Sequence, residues 1–245
     1  MVKASLKSFF TICSVFLITL ASANSLSIST EGDALYFKAL PYLEKIDEIN
    51  SDIFNIQNQL SANETFPDQK KKQYRDDIQA LVKEGVPLLQ RSAEAGNPAA
   101  QYRLALIMST FESRDQAVEN VCTLLRSSLS NGFTPAGLQM TYYCFDEVKT
   151  PEFRALIDAL PENDTLYSKY YPQPTMMPSC DHVSHSRSNT IVLLDEKNFR
   201  ANLYMSFSTQ LSTRNLRQEQ LSYLNKAAEH GCARAIERLK LSAGS

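Results

Sequence analysis

The residues with the most chemical potential are its cysteines and histidines. Cys180-Asp-His182-x-x-His185 is one cluster, and His230 stands two positions before Cys232. If Cys180 and Cys232 meet, His182, His185 and His230 gather around them. Imidazole with thiolate would suit zinc or copper. The competing reading is a disulfide with histidines nearby, which consumes the thiols that a metal or a Cys–His nucleophile would need. An oxidising compartment favours the disulfide, and the spacing matches no strong metal signature. His182, His185 and His230 stay weak metal candidates, and the expectation is no catalytic residue, no cofactor and no enzyme. No nucleophile elbow, glycine-rich phosphate loop or His-Glu-x-x-His string is present. The acidic pairs Asp76-Asp77 and Asp195-Glu196 read as solvated helix faces.

Five cysteines occur in 245 residues, and Cys13 lies in an N-terminal apolar run. That run, Phe9 to Leu20, follows Lys3 and Lys7 and ends in Ala21-Ser22-Ala23. Basic, apolar and small-residue blocks in this order are the mark of a cleaved export signal over residues 1–23. A dozen apolar residues fall short of the roughly twenty that span a bilayer, so no membrane span is expected after cleavage. Cleavage leaves 222 residues and removes two basic residues and no acidic ones, moving the net charge from −2 to −4. Mild acidity speaks against nucleic acid as a partner, since phosphate binding needs a basic patch. Cys122, Cys144, Cys180 and Cys232 remain, and an even count in an exported chain reads as two disulfides, in a periplasmic or secreted protein.

These side chains are positioned by helices. Glycine is scarce at seven, and Leu, Ala, Gln, Glu, Lys and Arg fill the periodic segments. Ile191 to Leu194 is the one short strand candidate, too isolated to predict a sheet. Three segments align on a glycine: Leu89 to Leu104 around Gly96, Leu125 to Met140 around Gly132, and Leu224 to Leu239 around Gly231. In each, an apolar residue stands seven before the glycine, an alanine four after it and an apolar residue eight after it. The glycine suits a left-handed helix end. Pro98 and Pro135 suit the first turn of the next helix. Ala100, Ala136 and Ala235 let two helices approach closely.

The hairpin also argues the cysteine pairing. Cys122 and Cys144 are equidistant from residue 133, the centre of a predicted turn, so on antiparallel helices they stand at one height. Cys122–Cys144 is therefore the favoured bridge, which leaves Cys180 for Cys232.

The strings Arg-Ser-Ala-Glu-Ala-Gly-Asn-Pro-Ala-Ala-Gln-Tyr-Arg-Leu-Ala (91–105) and Lys-Ala-Ala-Glu-His-Gly-Cys-Ala-Arg-Ala (226–235) resemble the Sel-one-like repeat, a relative of the tetratricopeptide repeat. The middle segment is a degenerate match, with Ser128-Leu129 in place of Ala-Ala. The resemblance implies an all-α, right-handed α/α solenoid of helical hairpins that assembles or regulates protein complexes, often in bacterial envelopes. It also keeps a rival in view: a cell-wall ligand binder or hydrolase, as some cysteine-rich relatives are.

The expected layout is a signal peptide at 1–23, N-terminal capping helices and a loop at 24–69, helical repeats at 70–160, an irregular insertion at 161–190 and a C-terminal helical repeat at 191–245. Ile46, Ile49, Ile53, Ile56 and Leu60 form a stripe on one long helix that caps the stack or pairs with the helix from Lys70 to Lys83; a coiled-coil dimer is the alternative. The insertion carries four prolines and Tyr167, Tyr170 and Tyr171. These tyrosines either contact a partner at the rim of the concave face or pack on the neighbouring hairpin. The functional expectation is an exported scaffold that binds a protein or peptide partner, with no statement on oligomeric state.

Overall fold

The computed structural model describes residues 28–61, 64–111, 114–161, 165–176, 178–180, 191–212 and 216–243. Residues 1–23, read above as an export signal, and His182 and His185 lie outside them. The described chain is all-α, with one two-stranded sheet among its described residues.

Two long helices open it, α1 (Thr30–Gln59) and α2 (Asp68–Glu94). Ser29 caps α1 by accepting from the Gly32 amide at 2.9 Å. The two helices approach so closely at Gly85 that a β-carbon there would stand 2.8 Å from Tyr42. Then come α3 (Pro98–Phe111), α4 (Arg114–Ser130), α5 (Thr134–Tyr143), the short α6 (Pro151–Asp158), α7 (Glu196–Ser212), α8 (Arg217–Glu229) and α9 (Ala233–Ala243). Each helix packs on the next in the chain, except that α5 packs directly on α7 across the irregular region. The stripe on α1 faces α2, where Ile46 is buried and Ile53 and Ile56 are partly covered.

The three glycine-centred segments close the same turn. Gly96, Gly132 and Gly231 have φ of 83°, 84° and 92°. At each, the glycine amide donates three residues back and the following amide five residues back: Asn97 to Ser92, Phe133 to Ser128 and Cys232 to Ala227 at 3.1, 3.2 and 3.0 Å. This pair of bonds satisfies the carbonyls that a helix end leaves open. The aligned alanines, Ala100, Ala136 and Ala235, are wholly buried.

The strand expectation needs correction. Val192–Leu194 does pair, antiparallel, with Gln173–Thr175. Its partner holds Pro174 and follows the cis Tyr171–Pro172 bond. Proline removes a ladder donor, so no two-residue alternation marked this segment as a strand.

Candidate partner-binding groove

Residues of α1, α3 and α5 line one face, and the segment from Tyr167 to Thr175 lies against it. Local sequence explains the docking. α3 points Tyr102 outward from the helix pair, and its hydroxyl donates to the Pro174 carbonyl at 2.6 Å. The Gln173 amide donates to the Tyr36 hydroxyl of α1 at 2.8 Å. Tyr170 inserts its ring edge-on to Tyr36, 5.2 Å between centroids, and stacks on Phe37. Its hydroxyl accepts from Asn97 at 3.0 Å and donates to Asp33, which also holds Lys169.

These contacts decide where the predicted tyrosines go. Tyr167 and Tyr170 are 2% and 3% exposed, packed against the helices. Tyr167 packs against Phe133, and Tyr171 lies between Phe133 and Phe199. Aromatic rings bury large apolar area, and a docked tyrosine needs only one partner for its hydroxyl; this face supplies both. Burial, and for Tyr170 the neighbouring Asp33 carboxylate, raises the phenols of Tyr170 and Tyr171 well above their ordinary value.

Beside the docked segment the face stays open. A cavity of about 500 Å³ is walled by Leu43 and Phe54 of α1, Leu106 and Ile107 of α3, Tyr142 of α5 and Pro174 of the insertion. A second hollow of about 560 Å³ adjoins it along α1, bounded by Glu44, Glu48 and Asp52 and by Leu193 of the sheet. Asp47 and Arg103 line both, joined at 2.8 Å, with the Arg103 side chain 6% and the Asp47 side chain 21% exposed. Burial raises the Asp47 carboxyl above its usual range, and the Arg103 charge draws it partly back. Among the described residues, the buried Arg103 Nε and Gln173 Oε1 have no hydrogen-bond partner. Mostly apolar walls around a few converging polar groups are the usual make-up of a recognition cleft.

No protein-family model matches this chain. No curated protein and no solved structure matches it either. The resemblance of the glycine-centred strings to the Sel-one-like repeat thus rests on their residues alone.

The two expected cysteine pairs stand at disulfide distance. Cys122 on α4 and Cys144 at the end of α5 have Cα atoms 5.7 Å apart, and Cys180 and Cys232 are 4.9 Å apart. Cys180 is seated by Asn202, which accepts its amide at 2.8 Å. Of the three histidines only His230 is described; its ring lies 5.6 Å from that of Tyr204. Among the described residues, Cys122, Cys144 and Glu147 have ligand atoms close enough to share a metal. The bonded sulfurs are not thiolates, however, and Glu147 is engaged by Arg126, whose Nε donates at 2.7 Å. No helix among the described residues is long and apolar enough to cross a membrane.

Sequence reading passed over Asp47, Arg103, Tyr102 and Gln173. Arg103 lies inside the first glycine-centred string, but nothing in its spacing points to α1. One signal was legible and unused: a serine stands four before the glycine in two of the three strings. Ser92 Oγ donates to the Gly32 carbonyl at 2.6 Å and Ser128 Oγ to the Pro98 carbonyl at 2.7 Å. Each latches the second helix of a hairpin to the start of its first.

Proposed function

We propose that this chain is an exported scaffold whose inner helical face binds an extended segment of a protein or peptide partner. The observation that carries the reading is the chain's own segment. Tyr171 to Thr175 lies extended on α1 and α3 and offers its Pro174 carbonyl to Tyr102, while an open, largely apolar cavity continues along the same helices. A surface that holds extended backbone from one side and apolar side chains from the other suits peptide recognition. Export to the periplasm or outside the cell is supported by the basic–apolar–small N-terminus and by two bridged cysteine pairs. The resemblance to the Sel-one-like repeat supports a role in envelope assembly or regulation.

Panning a random peptide display library against the full mature chain tests this. Enriched peptides are expected to shift amide resonances of Leu106, Ile107 and Tyr142. Ile107→Arg, at a partly exposed position on the cavity wall, is expected to weaken them about tenfold or more with helical circular dichroism unchanged. No enrichment, or shifts confined to α2, α4 and α8, would refute the reading.

A further inference from the structure

The first hairpin carries a second recognition surface, separate from the inner face. α2 has 27 residues and α3 has 14. Packed antiparallel from the turn at Gly96, α3 therefore ends about a dozen residues short of the start of α2. At 1.5 Å per residue this leaves roughly 18 Å of the α1–α2 pair without a third helix.

The stretch where α3 ends, and the turns of α2 beyond it, are not polar. Ile78, Val82, Val86 and Ala93 recur at four, four and seven residues, one face of α2. Ala93 is buried in the core, and the half-buried Val86 packs against it. One and two turns earlier the same face, through Val82 and Ile78, floors an open groove of about 640 Å³ closed by Ile53 of α1 and by Phe66 and Tyr74. Lys71, Arg75 and Lys83 stand along it at multiples of four, and no carboxylate lines it. Among the described residues, none of the three is ion-paired. The end hairpin of a helical stack ordinarily turns a polar face to water; this one presents an apolar channel with a row of cations.

We propose that this groove seats an acidic amphipathic helix of about three turns from a partner protein, lying where α3 would have continued. Its apolar residues, at three- and four-residue spacing, fill the channel over Ile53, Ile78 and Val82. Its carboxylates, spaced one and then two turns apart, meet Lys71, Arg75 and Lys83. A second copy of this chain fits less well, because a two-fold contact through the groove sets the same three cations against themselves.

The probe is a synthetic sixteen-residue peptide with leucine at helical spacing and glutamate on the flanking row, titrated by fluorescence anisotropy into the full mature chain. The expected result is saturable binding, with peptide helicity rising on addition of protein and methyl shifts at Ile53, Ile78 and Val82. The triple variant Lys71→Glu, Arg75→Glu, Lys83→Glu alters only exposed positions. It is expected to lose about tenfold or more in affinity for this probe and to gain affinity for a lysine-flanked version. Circular dichroism and thermal midpoint verify its fold. No binding by the unaltered protein, or equal binding by the charge-reversed one, overturns the proposal. So does a sedimenting dimer that Val82→Glu abolishes, or binding to phosphatidylglycerol vesicles that the peptide does not compete away. Because the inner face is untouched by the triple variant, failure here is separable from failure of the peptide-scaffold reading.

Discussion

The Tyr102 hydroxyl reaches out of α3 and donates to the Pro174 carbonyl, 2.6 Å away, in a buried setting. One bond thus ties the hairpin stack to a segment 72 residues further along the chain. Tyr102→Phe keeps the ring and leaves that carbonyl unpaired. It is expected to cost about 1–3 kcal/mol and to speed hydrogen exchange over Gln173–Thr175 and Val192–Leu194 more than in α3. Unchanged exchange in the sheet would mean that the segment is held by its tyrosine rings instead.

Asp47 gives a pH prediction. Burial raises its carboxyl above the unfolded value of about 3.9, with Arg103 opposing. A raised carboxyl favours the protonated native state. Its stabilising contribution is therefore complete below about pH 4 and is lost as pH rises through the native pKa. Carbon-13 titration of the Asp47 carboxyl is expected to show a midpoint above the ordinary range. In Arg103→Met the midpoint is expected to climb further, with stability at neutral pH falling by roughly 3 kcal/mol as the carboxylate loses its partner. A midpoint at or below the ordinary range would contradict the packing around α1 and α3.

The turn glycines separate backbone strain from crowding. A β-carbon at Gly96 or Gly231 meets nothing within 4 Å, yet both have positive φ. Alanine there is expected to cost about 1–2 kcal/mol from backbone alone, and asparagine less. Gly137 has no positive φ, but a β-carbon would stand 3.1 Å from Leu203 and 3.2 Å from Ile157 and Leu129. Its alanine variant is expected to loosen the α5–α7 contact. Urea unfolding of the three variants, with near-ultraviolet circular dichroism for Gly137→Ala, reads the difference.

The cysteine pairs predict a thiol count. Under denaturing, non-reducing conditions none of Cys122, Cys144, Cys180 and Cys232 is expected to react. The bridges close 22 and 52 residues, so replacing each pair by alanine is expected to cost about 3 and about 4 kcal/mol in the chain-entropy account. Four reactive thiols would remove the disulfide description.

What sequence alone determined was everything that depends on local spacing. Gly96, Gly132 and Gly231 sit where only a left-handed helix end fits, and the leucine seven before and alanine four after each mark the two buried faces. Equal distances from such a turn brought Cys122 to Cys144. The start of α6 is equally local: Pro151 takes its first turn and the Thr150 hydroxyl accepts from the Phe153 amide. Tertiary structure alone decided the contacts whose partners are far apart in the chain. Nothing near Tyr170 indicates that its ring belongs beside Tyr36 and its hydroxyl on Asp33. Nothing near Asp47 announces Arg103, and the strand at Val192 had no visible mate because a proline stands in it. Helical periodicity states which side of a helix is apolar, but not what covers it. Two stretches of one apolar face on α2, Val86 to Ala93 and Ile78 to Val82, look alike in sequence. The physical reason they differ is length: α3 ends about level with Val82 and does not continue over Ile78 and the turns before it.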